Sequence, residues 1–160
     1  MNDVKRVSQG VFALSRRKLV LIITVIAVGS VPIYYLASPL FFSRSVMEGL
    51  PQTGSTVLAA GSFTGADSFH SASGVAKVLR LADGSLILRL EGFSATNGPD
   101  LYVYVSADTQ ARDFLSLGRL KGNLGDQNYD LPANVDLSSY KYVLVWCQAF
   151  RVLFGSAQLV

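Results

Sequence analysis

The sequence contains few of the residues from which most metal and disulfide sites are built. Its 160 residues include one cysteine, Cys147, and one histidine, His70. A single cysteine excludes any intramolecular disulfide, whatever the compartment. A structural zinc site needs about four Cys or His ligands, a c-type haem needs a C-x-x-C-H run, and a blue-copper site needs two His beside its Cys. This chain alone therefore provides none of these three sites.

Charged residues are also scarce, at 16% of the chain, and the formal net charge of +3 is unevenly distributed. Residues 1–44 hold six Lys or Arg against one Asp, whereas residues 56–160 hold eight basic and nine acidic side chains. The basic character thus belongs to the N-terminal part. The remainder lacks the basic surface that nucleic-acid binding requires, so we expect no nucleic-acid partner.

One long hydrophobic run stands near the N-terminus. No charged residue occurs from Leu19 to Phe42, a length sufficient to cross a bilayer as a helix. Arg16, Arg17 and Lys18 precede the run directly, and this bias places the N-terminus in the cytoplasm. We therefore predict a basic cytoplasmic tail over residues 1–18 and a transmembrane signal anchor over 19–38. The chain would cross the cell membrane once, with the lipid bilayer as a partner and the C-terminal part extracytoplasmic.

A cleaved signal peptide is the alternative interpretation of this run. Its small-residue sites, Val28-Gly29-Ser30 and Leu36-Ala37-Ser38, are weak, and the run is longer than the apolar region of a usual signal peptide. Both observations favour an uncleaved anchor. Cleavage would instead yield a mature form that starts near Val31 or Pro39.

Residues 39–55 are predicted to form a juxtamembrane linker, since Pro and Gly punctuate this segment. Within it, Leu50-Pro51-Gln52-Thr53-Gly54 matches the L-P-x-T-G sortase signal. In a sortase substrate, however, the apolar span and basic cluster follow the motif. Here they precede it and a whole domain follows, so we interpret the motif as part of the linker.

Residues 56–160 alternate short strand patterns with turn signals and contain no periodic helical pattern. The Asp83-Gly84 step between two apolar runs is a strong hairpin signal. We predict an all-β domain, an antiparallel β-sandwich or barrel of about eight strands, preceded by one N-terminal transmembrane helix. The predicted strands begin near residues 57, 75, 85, 101, 114, 127, 142 and 152.

The strongest strand pattern runs from Tyr142 to Cys147. It is rich in β-branched and aromatic residues, and both of its alternating rows are apolar. Such a strand is typically covered on both sides and central to its sheet. By residue type, Cys147 at its end is a small buried hydrophobe. The alternative is a redox thiol or a ligand.

Several short segments, taken together and in order, resemble the DM-thirteen domain, a family for which a role in electron transfer has been proposed. They include Gly61-Ser62-Phe63, Phe69-His70 with Gly74, Asp83-Gly84, Leu88–Phe93, Asn97–Tyr104, Leu117–Gly122, Gln127–Tyr129, Trp146-Cys147 with Phe150, and Phe154–Ala157. The resemblance covers about residues 58–160. It implies a β-rich extracytoplasmic domain whose single signature cysteine is Cys147. The segments Pro39–Phe41 and Glu48–Pro51 also resemble the membrane-proximal part of membrane-anchored prokaryotic members.

The chemistry open to this chain is limited by its lone thiol. Cys147 could ligate a metal or haem iron, form a sulfenic acid or form a mixed disulfide, and His70 could be a second ligand or a base for it. His70 could equally be a loop residue with a backbone partner. The cofactor is unknown, with haem or metal as options. Two hypotheses follow: an electron-transfer domain with a redox partner protein, or a non-enzymatic binding or assembly module with a structural Cys147.

Overall fold

The structure, a computed structural model, describes residues 15–41, 43–50 and 54–160, with no account of the side chains of residues 35–41. It divides into two compact units, Met1–Leu36 and Ala37–Val160, which are described separately. Most of the predicted cytoplasmic tail (residues 1–14) lies outside the described residues. So does the centre of the sortase-like motif (residues 51–53).

Helix α1 comprises Arg16–Phe41. Its first part, Arg16–Tyr34, has a mean hydropathy of 1.7 and contains no buried residue. At about 1.5 Å per residue, the 26 residues of α1 extend over about 39 Å, which is long enough to span a hydrocarbon core of about 30 Å. An apolar N-terminal helix of this kind could be a membrane anchor or a signal sequence.

The described residues of the second unit form nine β-strands in one sheet, in the order β1-β7-β4-β3-β2-β9-β8-β5-β6. All pairings are antiparallel except that of β1 with β7. The strands are β1 Ser45–Met47, β2 Thr56–Gly65, β3 Ala72–Arg80, β4 Leu86–Ala95, β5 Leu101–Ser106, β6 Phe114–Arg119, β7 Leu124–Leu131, β8 Tyr142–Cys147 and β9 Val152–Gln158.

The sheet curls on itself because β2 belongs to both of its halves. Residues from Thr56 to Ser62 pair with β3, whereas Phe63 to Gly65 pair with β9. A register shift between Val57 and Ala59 adds a local bend to β2. The two halves enclose one main core of buried apolar side chains. The predicted all-β fold, an antiparallel sandwich or barrel after one N-terminal helix, is thus confirmed.

Strand β8 lies inside the sheet, between β5 and β9. Val143, Val145 and Cys147 point into the main core, and Leu144 on the opposite row is also fully buried. The row that faces the core is therefore fully covered, whereas Tyr142 and Trp146 on the opposite row are only partly buried, so that face is fully covered at its centre alone.

The face of β4 that carries Ile87, Arg89 and Glu91 points away from the main core, yet it is not left to solvent. Arg89 is only 6% exposed, and its guanidinium donates hydrogen bonds to Glu91, Asp126 and Asn128 at 2.7–3.0 Å. Lys77 pairs with Glu91 on the same face. A network of ion pairs thus covers this side of the sheet, which alternation in the sequence does not reveal.

The segment before the domain is paired with it. Residues 43–50, which the sequence predicts as linker, include β1, and Ser45 pairs in parallel with Leu124 of β7. Gly125 allows this close approach: its φ is +95°, and a Cβ there would lie 2.0 Å from the carbonyl oxygen of Val46. Glu48 N also donates to Asp126 O at 2.9 Å. The sequence did not predict β1, because a strand of three residues is too short for an alternating pattern to be recognised.

Candidate functional site

Cys147 is the last residue of β8, and its side chain is buried in the main core. It is a free thiol and 1% exposed. In the sheet it stands opposite Leu101 of β5 and Val152 of β9. Leu101 is itself a core residue, so the sulfur has an aliphatic neighbour on the side of β5.

His70 lies in the loop between β2 and β3, where Asp67 holds it. The Asp67 carboxylate accepts hydrogen bonds from the backbone N–H groups of Phe69 and His70, both at 2.7 Å, and from His70 Nδ1 at 2.8 Å. The side-chain hydrogen bond from His70 is the largest of the effects that lower the pKa of Asp67 to about 2. The imidazole therefore serves, at least, to fix this loop.

The structure does not join His70 to Cys147 directly. The imidazole packs edge-on against Phe154, with ring centroids 4.6 Å apart, and Phe154 belongs to the same core cluster as Cys147. Among the described residues, no hydrogen bond links the imidazole to the thiol. A role of His70 as a base or second ligand for Cys147 stays a prediction.

A metal or haem does not fit the described side chains of a single chain. Across residues 15–41, 43–50 and 54–160, no three His, Cys, Asp or Glu side chains come together in a group that could hold a metal ion. A haem ligated by Cys147 would have to displace part of the packed core, since the thiol is 1% exposed. We therefore derive no chemistry through such a group.

An open cleft of about 670 Å³ lies next to this thiol in the β domain. Leu101, the residue directly opposite Cys147, forms part of its wall. Residues opposite each other in an antiparallel pair have Cβ atoms about 4.5–5.5 Å apart, so the Leu101 side chain lies between β8 and the cleft, close to the thiol. Three segments line the cleft: residues 44–48, 97–101 and 119–123.

Ion pairs surround the cleft. Lys121 Nζ contacts both oxygens of Glu48 at 2.9 and 3.0 Å, and Arg119 donates to Asp100 at 2.6 Å. Burial raises the pKa of Glu48, but the hydrogen bonds from Lys121 and from the backbone of Asn128 outweigh it, so the net pKa is lowered. Arg44, also at the cleft, has no carboxylate partner among the described residues.

One cleft wall is held by buried polar side chains that were not among the functional residues predicted from the sequence. Gln127, fully buried, donates to Gly122 O at 2.7 Å and accepts from Gly122 N at 3.1 Å. Tyr129 donates to Gln127 and accepts from the backbone N–H of Lys121. Burial raises the pKa of Tyr129 to about 12. The Gln127–Tyr129 segment is one of those that carry the family resemblance, and this resemblance is the only feature of the sequence that pointed to these two residues.

These features define a class: an all-β domain with one buried thiol beside an open cleft, preceded by one apolar helix. Residues 62–159 match the model of the family described as Electron transfer DM13. Because the match covers more than half of the chain, the protein belongs to the DM13 electron-transfer family, as the sequence resemblance predicted. Comparison with curated proteins and with solved structures gave no match.

Proposed function

We propose that the protein is a single-pass membrane protein whose extracytoplasmic DM13 domain has a redox role centred on Cys147. Its N-terminus would be cytoplasmic and helix α1 an uncleaved anchor. The length and apolar character of α1 support the anchor, as do the basic residues that precede its apolar run. Family membership supports a role in electron transfer.

The observation that carries the role of Cys147 is its pairing with Leu101, which lines the cleft. Movement of the Leu101 side chain would then open a way from the cleft toward the sulfur. Elsewhere Cys147 is enclosed by the core, which protects a thiol from adventitious oxidation. Leu101 is therefore the residue through which we propose that access occurs.

A lone thiol needs a partner for reversible redox chemistry, and we propose thiol–disulfide exchange with a redox partner protein. Cys147 would lose its proton to solvent, and the thiolate would attack one sulfur of the partner's disulfide. A mixed disulfide forms, and the partner's second sulfur leaves as a thiolate. No cofactor is needed for this exchange, in keeping with the poor fit of a metal or haem.

A second candidate function is a non-enzymatic binding or assembly module in which Cys147 only fills space. The specific observation in its favour is the burial of the thiol, 1% exposed within the main core. Buried free cysteines of this kind commonly act as small hydrophobic side chains.

Thiol labelling of the full chain in nanodiscs distinguishes the two candidates. If Cys147 has a redox role, a small maleimide labels it, and oxidised glutathione forms a mixed disulfide with it, faster than global unfolding allows. Leu101→Ala should accelerate labelling by more than its loss of stability explains. Val103→Ala is the matched control, because Val103 is also a buried aliphatic residue of β5 but does not line the cleft. If labelling follows global unfolding in every variant, the redox role is refuted and Cys147 has only a structural role.

The anchor is tested separately on the membrane-extracted protein. An uncleaved anchor predicts an intact N-terminus by mass and retention in the membrane after alkaline carbonate washing. A mature form starting near Val31 or Pro39 would contradict it and identify the helix as a signal peptide.

A further inference from the structure

One end of the β domain gathers four loops and the start of β1. The register places Leu101 at the start of β5 beside Cys147 at the end of β8, and it places Gly65 at the end of β2 beside Gly155. The four loops at this end are residues 66–71, 96–100, 120–123 and 148–151. Ser45, the first residue of β1, pairs here with Leu124 of β7. The chain thus enters the domain at this end.

The distance along the chain from α1 to this end is short. Arg44, whose carbonyl accepts a hydrogen bond from Leu124 N, comes three residues after Phe41, where the helix ends. Three residues span at most about 10 Å, and the six residues from the predicted end of the membrane span at residue 38 to Arg44 span at most about 20 Å. If α1 anchors the protein as proposed above, this end of the domain must therefore stay close to the membrane surface.

Two large aromatic side chains at this end are almost fully in solvent. Phe69, in the loop that follows β2, is 82% exposed, and Phe150, in the turn between β8 and β9, is 70% exposed. Single exposed hydrophobic residues are ordinary, but two phenylalanines on separate loops at one end form a surface suited to an apolar partner. Phenylalanine is among the residues with which interfacial segments bury apolar surface at the boundary between headgroups and acyl chains.

The charge distribution supports a lipid surface as that partner. The loop end carries Arg44, Arg119, Lys121 and Arg151 against Glu48, Asp67 and Asp100. The opposite end, which holds the remaining turns, has the reverse balance: Asp83, Asp108, Asp113, Asp130 and Asp136 against Arg80, Arg112 and Lys141. Anionic headgroups attract the first end and repel the second.

We propose that this loop end is a membrane-contact surface. Phe69 and Phe150 insert at the lipid–water interface, and the cations around the cleft, Arg44 above all, face the phosphates of anionic lipids. The proposal rests on the membrane anchor of the proposed function and adds the orientation of the domain to it. In this orientation the cleft beside Cys147 faces the bilayer.

Site-specific tryptophan fluorescence of the full chain tests this surface. Trp146 is the only tryptophan, so Trp146→Phe provides a silent background. Three single substitutions are made in this background: Phe69→Trp, Phe150→Trp and, as the matched control, Phe114→Trp. Phe114 is partly exposed and pairs with Ser106, at the opposite end of the domain. The proteins are placed in nanodiscs of phosphatidylcholine and phosphatidylglycerol, with and without brominated acyl chains.

We expect bromine to quench tryptophan at positions 69 and 150 and to leave position 114 unquenched. Omission of phosphatidylglycerol, or the additional change Arg44→Glu, should reduce the quenching at both sites. Equal quenching at all three positions, or none at 69 and 150, would overturn the proposal. Carbonate washing separates the two failures: an anchored chain without quenching refutes only the contact surface, whereas an extracted chain refutes the anchor and with it the surface.

Discussion

Substitution of Gly125 by alanine tests whether β1 is a true part of the domain. The backbone of Gly125 has φ +95°, which costs a residue with a side chain about 1–2 kcal/mol. The new Cβ would also lie 2.0 Å from the carbonyl oxygen of Val46, so β1 has to move away. The hydrogen bonds from Glu48 N to Asp126 O and from Leu124 N to Arg44 O are then lost, at about 1 kcal/mol each.

The expected loss in the free energy of unfolding for Gly125→Ala is therefore about 3–4 kcal/mol. Gly118→Ala is the matched control, since Gly118 has φ +109° but no atom within 4 Å of a Cβ, and it should cost only about 1–2 kcal/mol. Denaturant unfolding of the full chain in detergent measures both losses. Hydrogen exchange at the Glu48 and Leu124 amides should accelerate only in Gly125→Ala. Equal losses, with unchanged exchange at these amides, would refute the docking of β1.

Three further predictions concern the core thiol, the ion-pair network and pH. In denaturant titrations, Cys147→Ser should lower the free energy of unfolding by about 1–3 kcal/mol more than Cys147→Ala does, because the serine hydroxyl is buried in an apolar core. Equal stability of the two variants would show that the hydroxyl finds a hydrogen-bond partner or water there. Arg89→Met should lower the free energy of unfolding by about 3 kcal/mol in the same assay, because it leaves the Glu91 and Asp126 carboxylates without their shared cation. An unchanged free energy of unfolding would show that the network adds no stability. Burial raises the pKa of Glu48, but its hydrogen bonds outweigh burial and lower the pKa from 4.5, so its contribution to stability is complete above about pH 4.5 and is lost as the pH falls through the lower folded pKa. Glu48→Gln should therefore flatten the fall in melting temperature between about pH 6 and about pH 3. An unchanged slope would contradict this prediction.

The strand pattern of the domain could be predicted from the sequence because alternation and turn chemistry act locally. The Asp83-Gly84 turn joins β3 and β4, and the apolar pattern of residues 142–147 corresponds to an inner strand with one fully and one partly covered face. The curl of the sheet was not predictable in the same way. It depends on β2 changing its partner from β3 to β9 near Phe63, a choice set by tertiary pairing.

The candidate site shows a similar division between local and long-range information. Cys147 and His70 could be selected because they are the only residues of their kinds. Their surroundings could not be predicted, since the Asp67 contacts of His70 and the Leu101 partner of Cys147 arise from loop geometry and strand register. The Glu48–Lys121 pair joins residues 73 positions apart, and no sequence pattern links them.

The position of Leu101 relates the two proposals to each other. It is at once the strand partner of the thiol and a wall of the cleft, so under the proposed function an occupant of the cleft would control access to the sulfur. If the loop end lies on the bilayer, lipid headgroups compete for the same opening, and a soluble redox partner reaches Cys147 only when the domain lifts from the membrane. Maleimide labelling of Cys147 should then be slower in nanodiscs rich in phosphatidylglycerol than in phosphatidylcholine alone. The Arg44→Glu variant should lose that difference, and a rate independent of lipid composition would separate the redox site from the contact surface.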